Sequence, residues 1–108
     1  MLTIKISNNI LHIIYDDTYE NVTSCSLYDV ISIKRIGSYN YPIPYTNNYT
    51  QNVKILSKLV LQLINGKEIV IESDLHNNIY ENIWESELNN AYDYILKNWS
   101  KIKGNKRG

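Results

Sequence analysis

Apolar and polar residues alternate over residues 2–7, with Leu2, Ile4 and Ile6 on one side and Thr3, Lys5 and Ser7 on the other. A period of two predicts a half-buried strand. Asn8-Asn9 suits a tight turn at positive φ. Residues 10–15, apolar on nearly both faces, predict a second strand hairpinned to the first. After a polar loop from Asp16 to about Ser24, residues 25–36 predict a longer strand bent near Tyr28-Asp29. Leu27, Ile31 and Ile33 would face one way and Val30, Ser32 and Lys34 the other. Residues 53–64 and 67–72 predict two more strands. Between them, Asn65-Gly66 invites a two-residue turn, but that register would put the leucines beside Glu68 and Glu72. A three-residue loop, 64–66, instead pairs Leu61 with Ile69 and Leu59 with Ile71. It needs Gly66 at positive φ, and burial selects it.

The period then changes. Trp84, Leu88, Ala91, Tyr92, Ile95, Trp99 and Ile102 recur at spacings of three and four, which predicts an amphipathic helix. Asn78 with Glu81 resembles a capping box and Gly104 stands where a C-terminal cap belongs. A break near Glu85-Ser86 is allowed by the length of the stripe. No helix separates the strands, so antiparallel pairing follows. The expected fold is α+β: an antiparallel meander of about five strands packed against one long C-terminal helix. Residues 1–103 would form the single domain and 104–108 a basic tail. The order of strands followed by a helix with tryptophans at 84 and 99 resembles pleckstrin-homology-like architecture in outline. Such domains usually have seven strands, and the likeness implies no lipid or peptide ligand.

Composition sharpens this picture. The chain has 108 residues, 44% hydrophobic and 20% charged, with a net charge of zero. That is one globular domain, without the positive excess of a general nucleic-acid binder. Ile, Asn, Lys and Tyr supply nearly half of it, a bias expected of an A/T-rich genome. In size and composition the chain resembles small phage-encoded inhibitors of host defence, including anti-CRISPR proteins. One cysteine, Cys25, leaves no internal disulfide and favours a reducing compartment, hence the cytoplasm, or the host cytoplasm if the chain is viral. No apolar run is long enough to span a bilayer and no leader pattern opens the chain.

Catalytic chemistry finds little footing. A nucleophile needs a base held by an acid. The candidates reduce to Cys25 with His12, or with His76 near Asp74. Asp16-Asp17 reads as a turn. No phosphate loop or metal-binding spacing occurs, so no enzyme, metal or cofactor is expected.

The most distinctive stretch is Ser38–Tyr49, which holds four of the ten tyrosines and both prolines. Pro42 and Pro44 argue against a central strand and predict a loop of about 15 residues. Its Tyr39, Tyr41, Tyr45 and Tyr49 would either anchor a partner or fold back over the sheet as a lid. The leading expectation is a non-enzymatic protein-binding module, extending to a viral inhibitor of a host protein, with Glu81, Glu85 and Glu87 steering it toward a basic partner. The alternative is a single-strand nucleic-acid binder using Lys34, Arg35, Lys101, Lys103, Lys106 and Arg107 with surface tyrosines. Unpaired sheet edges leave room for a homodimer.

Overall fold

The computed structural model describes residues 2–15, 22–73 and 81–105. Within them the chain forms eight strands, a short 3-10 turn and one helix. The strands are β1 (Leu2–Ser7), β2 (Ile10–Tyr15), β3 (Val22–Ser26), β4 (Val30–Ile36), β5 (Tyr39–Thr46), β6 (Tyr49–Ile55), β7 (Lys58–Leu63) and β8 (Glu68–Ile71). The helix α1 spans Glu81–Asn105. Every strand pairing is antiparallel. The α+β class therefore holds, with eight strands in three sheets where about five in one meander were expected.

The first sheet has the order β1-β2-β3. Asn8 and Asn9 turn its first hairpin with φ of 53° and 63°, the left-handed region that short polar side chains tolerate. Ile4 pairs with Ile13 and Ile6 with Leu11, so the apolar set of β1 lies beside the buried side chains of β2. The expected long strand 25–36 is broken: residues 25 and 26 end β3, which already begins at Val22 inside the expected polar loop, and residues 30–36 form β4. Between them Leu27–Asp29 makes a 3-10 turn, started by Ser26, whose Oγ accepts from the Tyr28 amide at 3.2 Å. Leu27 is fully buried there, and its amide donates to the Asn9 carbonyl at 2.8 Å.

The second sheet has the order β4-β7-β8. Its register shifts between Val30 and Ser32, where Val30 pairs with Leu63 and Ile33 with Leu61. Ile31 is the extra residue of a bulge. Val30 is buried and Ile31 is 52% exposed, which reverses the expected faces at these two positions. The β7–β8 turn takes the three-residue form. Leu61 pairs with Ile69 and Leu59 with Ile71, and Gly66 sits at φ 84°. The Gly66 amide donates to the Leu63 carbonyl at 3.0 Å, and the Leu63 amide donates to the Lys67 carbonyl at 2.9 Å.

Helix α1 is continuous, so the break allowed near Glu85-Ser86 does not occur, and it runs through Gly104 to Asn105 rather than capping at Gly104. The proposed cap Asn78 lies outside the described residues. Trp84, Leu88, Ala91, Ile95 and Ile102 are buried, with Tyr92 and Trp99 packed beside them against Leu11, Ile13, Leu27, Val30, Leu59, Leu61 and Ile71. Both indoles are tied to the sheet side. Trp84 Nε1 donates to the Ser57 carbonyl at 2.7 Å and Trp99 Nε1 to the Val30 carbonyl at 2.9 Å.

The third sheet is the surprise. Residues 39–52, expected as a loop, and the start of the expected strand 53–64, which breaks at residues 56–57, form β5 and β6, a two-stranded ribbon inserted between the paired strands β4 and β7. Ile36 pairs with Lys58 at the end of the second sheet, and Tyr39 pairs with Ile55 at the start of the ribbon. The two residue numbers sum to 94 in both pairs, so the ribbon continues the β4–β7 register across a short break. Residues 30–46 at about 3.3 Å each span roughly 56 Å. The longest dimension of the molecule is 62 Å against 28 and 23 Å. The radius of gyration is 16.4 Å, where a compact chain of this length would show about 13 Å. The ribbon is an arm.

Candidate functional site

The arm is built from local rules. Pro42 and Pro44 have no amide hydrogen, so they fit a ribbon only where their nitrogens point away from the partner strand. The observed pairs Pro42 with Asn52 and Pro44 with Thr50 therefore put the inward amides on Tyr39 and Tyr41, opposite Ile55 and Val53. The prolines rule out a central strand and permit an outer one. Asn47-Asn48 closes the ribbon, and the register shifts between Pro44 and Thr46, at Tyr45.

Alternation then sorts the side chains. Tyr39 and Tyr41 share a face with Tyr49, Gln51, Val53 and Ile55. Asn40, Pro42, Pro44, Thr50, Asn52 and Lys54 take the other. Tyr39 is 46% exposed, Tyr41 56% and Tyr49 58%, so these three rings do not close over the core as a lid. The Tyr39–Ile55 and Tyr41–Val53 pairs contribute about 0.2–1 kcal/mol each to holding the ribbon. The side chain of Tyr45 lies outside the described set. Among the described residues the arm carries one charged side chain, Lys54.

The root of the arm is clamped to the helix. Ser57 is buried at the break between β6 and β7. Its carbonyl accepts from Trp84, and its hydroxyl donates to Glu85 Oε1. Glu85 Oε2 accepts from Arg35 on β4. One turn earlier, Lys54 Nζ reaches the Glu81 carboxylate at 2.8 Å. Glu87 accepts from the Leu2 amide at 3.4 Å. Glu81 and Glu85 are thus paired with Lys54 and Arg35, whereas Glu87 meets a backbone amide, which leaves its charge in place. Sequence spacing showed their charge and not these distant partners.

The basic residues are not gathered. Lys34 and Arg35 end β4, and Arg35 is held by Glu85. Lys101 and Lys103 lie near the other end of α1. Glu85 to Lys101 is 16 residues, about 24 Å along the helix. Lys103 Nζ sits 4.0 Å from the Trp99 ring centroid, a cation–π contact within the chain. Lys106 and Arg107 lie outside the described residues.

The cysteine candidate takes a core position. Cys25 pairs with Leu11, while His12 pairs with Ser24, so alternation puts Cys25 and His12 on opposite faces of the first sheet. His12 Nδ1 and Ser24 Oγ are 2.9 Å apart. Burial, and then the Asp29 carboxylate, push the Cys25 thiol above its usual pKa, the reverse of nucleophile activation. His76, Asp74 and Asp16-Asp17 lie outside the described residues. Among the described residues, no group of three His, Cys, Asp or Glu side chains is placed to hold a metal, and no helix is long and apolar enough to cross a membrane. Compared with known proteins, the chain matches no family model, no curated protein and no solved structure.

Proposed function

We propose that the protein is a non-enzymatic protein-binding module whose contact surface is the aromatic face of the β5–β6 arm. The observation that carries this reading is the exposure of Tyr39, Tyr41 and Tyr49 on one face of a ribbon that stands off the core. Tyrosine offers rigid amphipathic area at low entropic expense and is enriched among residues that dominate binding energy. The face is uncharged, so its partner presents an apolar or aromatic groove rather than a basic patch. The size and composition that resemble phage-encoded inhibitors extend the reading to a host protein as target.

The test compares immobilised wild type with Tyr39→Ala/Tyr41→Ala as bait in a lysate of cells that express the gene. Wild type is expected to retain a defined protein through a high-salt wash. The double variant loses it by at least about tenfold, since two central tyrosines each contribute on the order of 1 kcal/mol or more. Equal retention by a folded variant would overturn the proposal.

A further inference from the structure

The two outer edges of the arm are unlike. The edge of β5 carries Pro42 and Pro44 with their nitrogens outward, so it lacks two of its donors and cannot extend a ladder. The edge of β6 is open. Thr50, Asn52 and Lys54 alternate with the inward-bonded positions, which points their amides and carbonyls outward. Among the described residues no strand pairs with that edge. A lone two-stranded ribbon is marginally stable in water, and this one has a single open side.

We propose that the edge of β6 pairs with the same edge of a second copy of this chain, antiparallel about a twofold axis at Asn52, giving a four-stranded sheet β5-β6-β6-β5. The register follows from the strand itself. Asn52 is the midpoint of Tyr49–Ile55, so centring there pairs the strand over its whole length. Thr50 then faces Lys54 of the second copy, and the two lysines, the only described charges on the arms, stay apart. Gln51 lies beside Val53 of the second copy, and Tyr49 beside its Ile55, an aromatic–aliphatic pairing of the favourable kind. Asn52 meets its own twin, and an amide side chain has both a donor and an acceptor to offer an identical group.

The same pairing joins the aromatic faces of two arms into one platform, so a partner would meet a doubled surface. The contact is small. A seven-residue edge is about 24 Å long and buries well under the roughly 800 Å² per partner of a standard stable dimer. Association is therefore concentration-dependent.

Two measurements decide it. Sedimentation velocity of wild type between about 10 µM and about 1 mM, the range for so small an interface, is expected to show a monomer–dimer equilibrium. Asn52→Pro removes the outward backbone amide and the side-chain amide while leaving the inward bonds to β5 in place, and is expected to sediment as a monomer throughout with little change in thermal unfolding. In a Cys25→Ser background, Asn52→Cys is expected to crosslink to itself under mild oxidation, because directly opposed residues lie about 5.5 Å apart between Cα atoms. Asn40→Cys, on the proline-guarded edge, is expected to stay monomeric. A wild type that is monomeric at every concentration would overturn the proposal. So would an Asn52→Pro protein that still dimerises, or equal crosslinking at positions 40 and 52. Loss of partner capture with dimerisation intact would instead strike the reading of the aromatic face and leave this one standing.

Discussion

Replacing Trp84 with Phe should destabilise the domain far more than the same change at Trp99, because the two indoles donate to carbonyls in different surroundings. Trp84 is 3% exposed and its acceptor belongs to Ser57, itself 2% exposed. Phenylalanine leaves that carbonyl without its donor in a site closed to water, a penalty of about 1–3 kcal/mol. The smaller ring opens space beside Leu88 and the sheet, adding about 1–2 kcal/mol. The expected loss is about 2–5 kcal/mol out of a total stability of order 5–15 kcal/mol. Trp99 is half-buried, so water can replace part of its bond to Val30, and Trp99→Phe should lose only about 1–2 kcal/mol. Urea unfolding followed by far-ultraviolet circular dichroism measures both without relying on indole emission. A Trp84→Phe loss below about 0.5 kcal/mol, or Trp99→Phe as the costlier change, would refute the reasoning that Trp84 clamps the arm's root.

Three further outcomes follow from the same structure. Gly66→Ala, with φ at 84° and no atom within 4 Å of the added Cβ, should lower stability by about 1–2 kcal/mol from backbone conformation alone, read as a lower urea midpoint. Glu85→Ala should cost more than Arg35→Ala in the same assay, because it strands the buried Ser57 hydroxyl as well as the ion pair. The part-exposed ion pair alone contributes about 1 kcal/mol or less, and the Arg35→Ala effect should shrink in high salt. Alkylation of Cys25 in the folded protein should rise with pH along a curve displaced to higher pH than that of a free thiol, since burial and Asp29 disfavour the thiolate; a curve displaced to lower pH would contradict this.

What the sequence revealed and what it hid follow from how local each cause is. The Asn8-Asn9 turn, the Gly66 loop and the Trp84–Ile102 stripe were legible because the residues that decide them are neighbours in the chain or in one element. The β7–β8 register was legible because only one pairing buries Leu59, Leu61, Ile69 and Ile71 together. The arm was missed because two prolines outweighed the alternation of Tyr39 and Tyr41 and of Gln51, Val53 and Ile55. The missed signal was that alternation on both sides of Asn47-Asn48, in register with β4 and β7. The Ile31 bulge left no mark in the alternation, since the shift exists only against the partner strand. The partners of Glu81, Glu85 and Glu87 lie 27 to 85 residues away, beyond the reach of any local pattern.

The claim on which the account rests is that the tyrosines of the arm face outward and do not hold the core together. Global unfolding of Tyr39→Ala/Tyr41→Ala, followed by urea titration of the helix signal, tests this most directly. The account predicts a change of about 2 kcal/mol at most, the two cross-strand pairs of an exposed ribbon. A loss of about 3 kcal/mol or more, the size expected for truncating buried aromatic rings, would contradict it.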